Sequence, residues 1–214
     1  MKILELTQYR LFPQRYIIQL SPVRTGSTLV YNLLRGVLEG KKIVKKHRYR
    51  IAYGRLPIVA TVRDPFDAIA SVIRLNKLGT DRAGVEQAAD IFLKNGAADI
   101  VKIKDKPNVL ILQYERFIED FGYVFSELEA FFDFIIPDAR KQQLALEFNL
   151  DNTRKIAGRQ KRFGDYDSVT LIHGDHISDH AKTPGYAIEM FDKDQVRYLS
   201  NRLASYMQAF GYSG

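Results

Sequence analysis

The 214-residue sequence contains no cysteine and no tryptophan. The lack of cysteine excludes a disulfide framework, a thiolate nucleophile and a cysteine-bound metal, and it suits a reducing compartment. Long apolar runs are missing as well, because charged and polar residues interrupt the first twenty positions, MKILELTQYRLFPQRYIIQL, every few residues. We therefore expect neither a signal peptide nor a membrane anchor, and a cytoplasmic location.

Acidic residues are fewer than basic ones, 25 against 32, which leaves a net charge of +7. Such a field favours an anionic partner: a multiply charged nucleotide, a nucleic acid, an acidic glycan or a membrane surface. One basic cluster, KKIVKKHRYR, covers residues 41–50. It fits a solvated strand or loop as well as a nucleic-acid patch, and no recognised nucleic-acid module accompanies it. Charge alone does not choose between these partners.

The order of apolar segments predicts one α/β domain over residues 1–214, with three layers and a central, mostly parallel sheet. Short apolar runs, typical of strands buried on both faces, predict strands at residues 16–20, 57–62 and 109–113, with a weaker one at 43–47. Helical patterns follow at 27–38, 65–78, 84–93, 121–134 and 193–210. The polar stretch 151–186 has weak periodicity, and we expect a functional loop there.

The first notable turn, LSPVRTGSTL at residues 20–29, lies between a predicted strand and its helix. Gly26 permits a tight turn in which the N–H groups of Gly26, Ser27 and Thr28 converge at a helix N-terminus, where phosphate binds well. Arg24 adds a permanent cation. The same residues also suit a helix cap without a ligand. The turn is not a Walker A motif, because Ser21 stands at the first glycine position and no lysine follows Gly26.

The second turn, TVRDPFDAIAS at residues 61–71, lies at another strand-to-helix junction. Pro65 suits the first helical turn, Arg63 ends the strand, and Ser71 follows two turns along the helix. Arginine binds phosphate with two hydrogen bonds, and a serine hydroxyl could complete the site. The alternative is that Arg63 pairs with Asp64 or Asp67, and that Asp64 merely caps the helix.

Together the two turns resemble the signature of PAPS-dependent sulfotransferases, in which PAPS is 3′-phosphoadenosine 5′-phosphosulfate. The 5′-phosphosulfate loop of that family, [KR]-[ST]-G-[ST]-[ST], is matched by Arg24, Thr25, Gly26, Ser27 and Thr28. The 3′-phosphate motif, R-[DN]-P-x-D-x-x-x-S, is matched by Arg63, Asp64, Pro65, Asp67 and Ser71. Weaker similarities are VKKH at residues 44–47, LQYE at 112–115 and RQKRFGDY at 159–166. Leu29 stands where the cytosolic members have a tryptophan.

The resemblance implies a sulfotransferase with a P-loop-like phosphosulfate turn, PAPS as co-substrate, PAP (its desulfated product) released, and no metal. It implies that Arg24, Lys45 and His47 act in catalysis, His47 as general base, although many glycan-type members use a carboxylate for that step. The implied PAPS-binding residues are Arg24, Thr25, Gly26, Ser27, Thr28, Arg63, Ser71, Tyr114 and Arg159. The acceptor would be a hydroxyl or amine on a small molecule or glycan, and no nucleic-acid partner is expected.

Three alternatives stay open. A P-loop kinase would need magnesium and the missing lysine, and a non-catalytic nucleotide or nucleic-acid binding module would keep the basic turns without chemistry. His173, His176 and His180, in the segment HGDHISDH, could bind a transition metal, line the acceptor pocket or belong to an exposed loop. Their spacing matches no defined metal motif. The oligomeric state does not follow from the sequence.

Overall fold

The computed structural model describes residues 3–159, 166–174 and 183–213. A parallel sheet of four strands in the order β2-β1-β3-β4 forms its centre. The strands are β1 (Tyr16–Leu20), β2 (Lys42–Lys46), β3 (Ile58–Val62) and β4 (Val109–Gln113). The predicted parallel sheet is confirmed. The weaker strand begins and ends one residue earlier than predicted, and β3 begins one residue later.

Helices cover both faces of this sheet, as the predicted three-layer architecture requires. The helices are α1 (Ile3–Leu11), α2 (Ser27–Val37), α3 (Pro65–Asn76), α4 (Arg82–Phe92), α5 (Ala98–Ile103), α6 (Tyr114–Phe117), α7 (Phe121–Phe132), α8 (Asp138–Glu147), α9 (Leu150–Gly158), α10 (Lys193–Arg202) and α11 (Ala204–Phe210). Buried side chains of α1, α3, α4, α5, α10 and α11 form the core on one face. Those of α2, α6, α7 and α8 form the core on the other.

Strand burial follows strand position. All residues of the two inner strands, β1 and β3, are buried, whereas the edge strands β2 and β4 are mostly half-buried. Side chains alternate between the faces, so Ile17 and Val59 enter one core while Ile18 and Ile58 enter the other. Runs of apolar residues therefore mark strands that contact helices on both sides.

Several helical predictions need correction. The segment predicted as one helix at 193–210 is two helices separated at Leu203 (φ −106°, ψ 7°). The expected loop at 151–186 is wrong in part, because α9 occupies its beginning and a 3₁₀-helix, Tyr186–Met190, lies at its end. Helix α9 buries only Ala157, so it shows no apolar stripe from which sequence reasoning could have predicted it.

The candidate site lies at two strand-to-helix junctions. Strand β1 leads into α2 and β3 leads into α3, and these two strands are neighbours in the sheet. Because the strands are parallel, both turns lie at the same edge of the sheet, where open α/β sheets bind their ligands. In the described part of the chain, no helix is both long and apolar enough to cross a membrane.

Candidate active site

The first turn is shaped by Gly26, the N-cap residue of α2, which has a left-handed conformation (φ +78°). A Cβ atom there would lie 2.7 Å from ring atoms of both Tyr114 and Phe117. Glycine is therefore required by conformation and by space. The first helical hydrogen bonds are donated to the Gly26 carbonyl by Leu29 and Val30. The preceding N–H groups at the helix start are available to an anion.

Buried hydroxyl groups hold this turn against β3. The Thr25 hydroxyl donates to the Pro22 carbonyl (2.9 Å) and lies 2.7 Å from the Thr61 hydroxyl. The Ser21 hydroxyl accepts from the Thr61 N–H (2.8 Å). Thr25 therefore holds the turn together from inside, and it does not line the cavity described below.

In the second turn, the two acidic residues have different partners. The Asp64 carboxylate caps α3 by accepting the Asp67 N–H (3.0 Å). Asp67 is fully buried, and its oxygens accept the N–H groups of Gly185 (2.9 Å) and Ala187 (3.1 Å). One Asp67 oxygen also lies 3.6 Å from Nη2 of Arg63. Asp67 thus fastens the start of the Tyr186–Met190 helix beside the arginine.

Arg63 has unused hydrogen-bonding capacity. Its side chain is only 6% exposed, and its guanidinium lies 4.2 Å from the centre of the Tyr114 ring. Nη1 is 3.5 Å from the Arg24 carbonyl oxygen, while Nε and Nη2 make no hydrogen bond with any of the described residues. Buried polar groups are normally hydrogen-bonded. A buried guanidinium with two such donors is suited to an anionic ligand.

Side chains from the two turns meet directly. Nε of Arg24 donates to the Ser71 hydroxyl (2.8 Å). Burial, with smaller contributions from Arg74 and Arg63, lowers the pKa of Arg24 to about 10. Arg24 therefore stays charged at neutral pH, although its positive neighbours disfavour that charge. A bound phosphate would relieve this repulsion.

Strand β2 contributes Lys45, which donates to the Thr28 hydroxyl. Burial, and then the charge of Arg24, lowers the pKa of Lys45 to about 8. Lys45 is thus mostly protonated at neutral pH, and its ammonium lies at the start of α2 beside the first turn.

His47 lies one residue beyond β2, with Nδ1 2.8 Å from the Ser21 carbonyl oxygen. A carbonyl oxygen only accepts hydrogen bonds, so Nδ1 must carry the proton and Nε2 of the neutral ring keeps its lone pair. Burial lowers the pKa of His47, and Lys45 lowers it further, against the opposing effect of the Ser21 hydrogen bond. The ring is therefore neutral at pH 7 and can accept a proton at Nε2.

These groups line one cavity of about 440 Å³, within the range of small-molecule sites. The predicted site residues that line it are Arg24, Gly26, Ser27, Thr28, Lys45, His47, Arg63, Ser71 and Tyr114. Thr25 and Arg159 do not line it, and Arg159 is exposed at the end of α9. The rest of the RQKRFGDY segment up to Tyr166, including Gly164 and Asp165, lies outside the described residues.

Sequence reasoning missed the apolar part of the cavity. Its lining residues are Val23, Leu29, Leu75, Ile118, Phe121, Phe148, Leu150, Leu171 and Ile172, joined by the polar side chains of Asn32, Thr153, Tyr166 and His173. They come from distant segments without a shared motif. Two signals were available in the sequence: Leu29, in place of the tryptophan, lines the cavity, and so does His173, for which a position in the acceptor pocket was one of the alternatives.

A short hairpin around residues 166–173 forms one wall of the cavity. Tyr166 bridges His173, and Asn32 of α2 donates to the Thr170 carbonyl (2.8 Å). His173 is buried against the edge of the Tyr166 ring. His176 and His180 lie outside the described residues. Among the described residues, no group of three His, Cys, Asp or Glu side chains could hold a metal ion.

The architecture of this chain is similar to that of known proteins. No protein-family model matches the chain, and no curated protein is similar to it in sequence. Solved structures do share its fold, and three of them contain PAP. Mouse sulfotransferase SULT7A1 complexed with PAP is 15% identical, with a TM-score of 0.66, over 91% of this chain and 84% of that chain. Retinol dehydratase in complex with androsterone and PAP is 13% identical, with a TM-score of 0.69, over 92% of this chain and 81% of that chain.

A second structure of retinol dehydratase, in complex with retinol and PAP, is also similar, with 13% identity and a TM-score of 0.65 over 91% of this chain and 81% of that chain. The sheet order and the helices on both faces thus define a parallel α/β protein. More particularly, the chain has the fold of the PAP-binding sulfotransferases, as the two sequence motifs predicted.

Proposed function

We propose that this protein transfers a sulfuryl group from PAPS to a hydroxyl or amine acceptor and releases PAP. The observation that carries the proposal is the buried Arg63 guanidinium: within the described part of the chain its Nε and Nη2 make no hydrogen bond, and it shares a cavity with the first turn. Two candidate anion sites in one cavity suit a nucleotide whose ribose carries phosphates at both the 3′ and the 5′ positions. The fold shared with PAP-bound proteins supports the same ligand.

The reaction would divide between the two turns and β2. The N–H groups and hydroxyls of Ser27 and Thr28 bind the 5′-phosphate, while Arg63 and Ser71 bind the 3′-phosphate. The acceptor oxygen or nitrogen attacks sulfur in line, a new bond to sulfur forms, and the bond from sulfur to the 5′-phosphate oxygen breaks. Negative charge then grows on the leaving phosphate, where Arg24 and Lys45 stabilise it.

His47 would take the acceptor's proton at Nε2. Its Nδ1–H is held by the Ser21 carbonyl, and its lowered pKa keeps the ring neutral at pH 7. Both features are what a general base requires. The carboxylates near the second turn are occupied otherwise: Asp64 caps α3 and Asp67 accepts two backbone N–H groups. This favours the histidine over these two carboxylates as the base.

Recognition of the 3′-phosphate is the first test. Calorimetric titrations of PAP and AMP compare two ligands that differ in this group alone. We expect PAP to bind more tightly by roughly two orders of magnitude, since two charge-assisted hydrogen bonds contribute about 3 kcal/mol together. Arg63→Ala should abolish most of this preference. Arg24→Ala should weaken both ligands and abolish most of the transfer activity, whereas the exposed control Arg197→Ala should change neither affinity.

Equal affinities for PAP and AMP in the wild type would overturn the assignment of the second turn, and with it the proposed function. Under the kinase alternative, ATP with magnesium would be the tighter ligand. If PAP binds more tightly than AMP, the acceptor is found by offering the enzyme PAPS together with phenols, amines or glycans and measuring the release of PAP.

A further inference from the structure

Helices α4 and α5 are separated by a kink at Leu93–Ala97, in which two residues have non-helical backbone angles. They are Asn95 (φ −103°, ψ 46°) and Gly96 (φ 116°, ψ −23°). Only glycine adopts the second conformation readily. The Asn95 side chain donates to the Ile91 carbonyl (2.8 Å), which supports the kink from within.

Gly96 lies against the backbone of two site segments. A Cβ atom on Gly96 would lie 2.3 Å from the His47 carbonyl oxygen and 3.1 Å from Cα and N of Pro22. Ser21 is the residue before Pro22, and its carbonyl oxygen accepts the hydrogen bond from the His47 Nδ1–H. The kink therefore packs on the pair of segments that orients the histidine ring.

His47 needs this support because of its place in the sheet. It follows the last paired residue of β2, Lys46, and β2 is an edge strand paired only with β1. Beyond Lys46, no strand partner fixes the backbone. The Asp99 carboxylate of α5 instead accepts the Tyr49 N–H (3.0 Å). Gly96 thus contacts the backbone at His47, and Asp99 binds the backbone at Tyr49, two residues further on.

We infer that Gly96 and Asp99 are positioning residues for His47, which fix its ring against the Ser21 carbonyl and so keep the lone pair on Nε2. The inference rests on the proposed function, in which His47 is the base. A Cβ atom at residue 96 must displace backbone, since the atoms that it meets are not the flexible end of a side chain. A misplacement of about 1 Å at a reacting group can lower a rate about 100-fold.

The test compares Gly96→Ala and Asp99→Ala with Gly40→Ala. Gly40 also has a positive φ (+76°), but a Cβ atom there would meet nothing within 4 Å, so this control imposes a positive-φ strain without a contact. Long-range ¹H–¹⁵N spectra of the histidine rings report the tautomer of His47, assigned with His47→Gln. We expect the Nδ1–H form in the wild type and in Gly40→Ala, and a mixture of tautomers in Gly96→Ala.

In turnover, Gly96→Ala should lower kcat by roughly 10- to 100-fold. In the His47→Ala background, Gly96→Ala should cause no further loss, as expected for a residue that acts through the histidine. Asp99→Ala introduces no clash, and it should shift the tautomer in the same direction even if Gly96→Ala does not fold.

An unchanged His47 tautomer in both variants would overturn the positioning role. So would additive losses of kcat in the double variant. A wild type that binds PAP no better than AMP would instead contradict the proposed function. The ring spectra would still decide whether the kink orients His47.

Discussion

His47 acquires its chemistry from a backbone oxygen on a neighbouring segment. The Ser21 carbonyl holds the proton on Nδ1, and burial beside Lys45 keeps the ring neutral. If the ring removes the acceptor's proton, His47→Ala should lower kcat by about 10²–10⁴-fold. PAP affinity should stay nearly the same, because the phosphates are bound elsewhere. Single-turnover rates with PAPS, together with PAP titrations, measure the two effects. Near-normal turnover would assign the role to a carboxylate.

The pH dependence of transfer should reflect two lowered pKa values. His47 must be neutral, so the rate falls as the pH drops through its pKa, and this fall lies below the ordinary histidine value of 6.5. Lys45 must be charged, so the rate also falls as the pH rises through about 8. A kcat/KM profile of the wild type should therefore be bell-shaped. Lys45→Met should lower the maximum and remove the alkaline fall, and an alkaline fall that persists would show that another group titrates there.

At the scale of elements, packing, hydrogen bonds and charge hold the two turns. The first is held by packing of the Gly26 backbone on the rings of Tyr114 and Phe117, and by the hydrogen bonds of the Thr25 and Ser21 hydroxyls. The second is held by charge and hydrogen bonds, since Asp67 joins α3 to the Tyr186–Met190 helix and lies beside Arg63. Tyr206 of α11 fixes the Arg63 backbone from the core side, where it contacts both the N–H (3.1 Å) and the carbonyl (3.2 Å).

The first turn should be intolerant of a single added methyl group. Gly26→Ala imposes a left-handed conformation on alanine, at about 1–2 kcal/mol, and places Cβ against two rings at 2.7 Å. We expect the free energy of unfolding to fall by roughly 2–4 kcal/mol in total, with loss of PAP binding. Urea denaturation measures the loss. Gly211→Ala is the control, because it has a similar φ (+74°) and open space. Equal losses in the two variants would mean that packing at Gly26 contributes nothing.

At the scale of the whole molecule, the positive charge around the proposed phosphate sites comes from side chains and helix N-termini. Arginine, lysine and backbone N–H groups would neutralise the bound phosphates, and we expect transfer to survive chelation with EDTA. PAP at about 100 times its dissociation constant should stabilise the protein by about 2.7 kcal/mol. For a chain of this size that corresponds to a rise in melting temperature of roughly 5–10 °C.

Thermal shift assays with ATP and magnesium, and with oligonucleotides, provide the comparison. A kinase would be stabilised most by ATP with magnesium, and a nucleic-acid binding module by the oligonucleotides. Activity that EDTA abolishes and that magnesium or zinc restores would contradict the metal-free mechanism. A single domain over residues 1–214, a cytoplasmic location and the class of acceptor stay predictions.

The sequence by itself determined the sheet and the two turns. Apolar runs predict the buried inner strands β1 and β3, because a strand covered on both faces is mostly apolar, and a similar run predicts the edge strand β4. Gly26, and Pro65 at the start of α3, mark the junctions, because few other residues suit those backbone positions. The fold class and most of the cavity's polar lining follow from these local signals.

Only the tertiary structure decided what each polar group does. Thr25 lies in the phosphate motif, yet its hydroxyl forms hydrogen bonds with the Pro22 carbonyl and the Thr61 hydroxyl. The lone pair of His47 depends on Ser21, 26 residues away along the chain. Gly96 meets His47 and Pro22 from 49 and 74 residues away, and the Arg63 guanidinium lies on the Tyr114 ring, 51 residues away. The apolar half of the cavity likewise comes from segments between Val23 and Ile172. Such contacts have no periodicity along the chain, because they arise where separate elements meet.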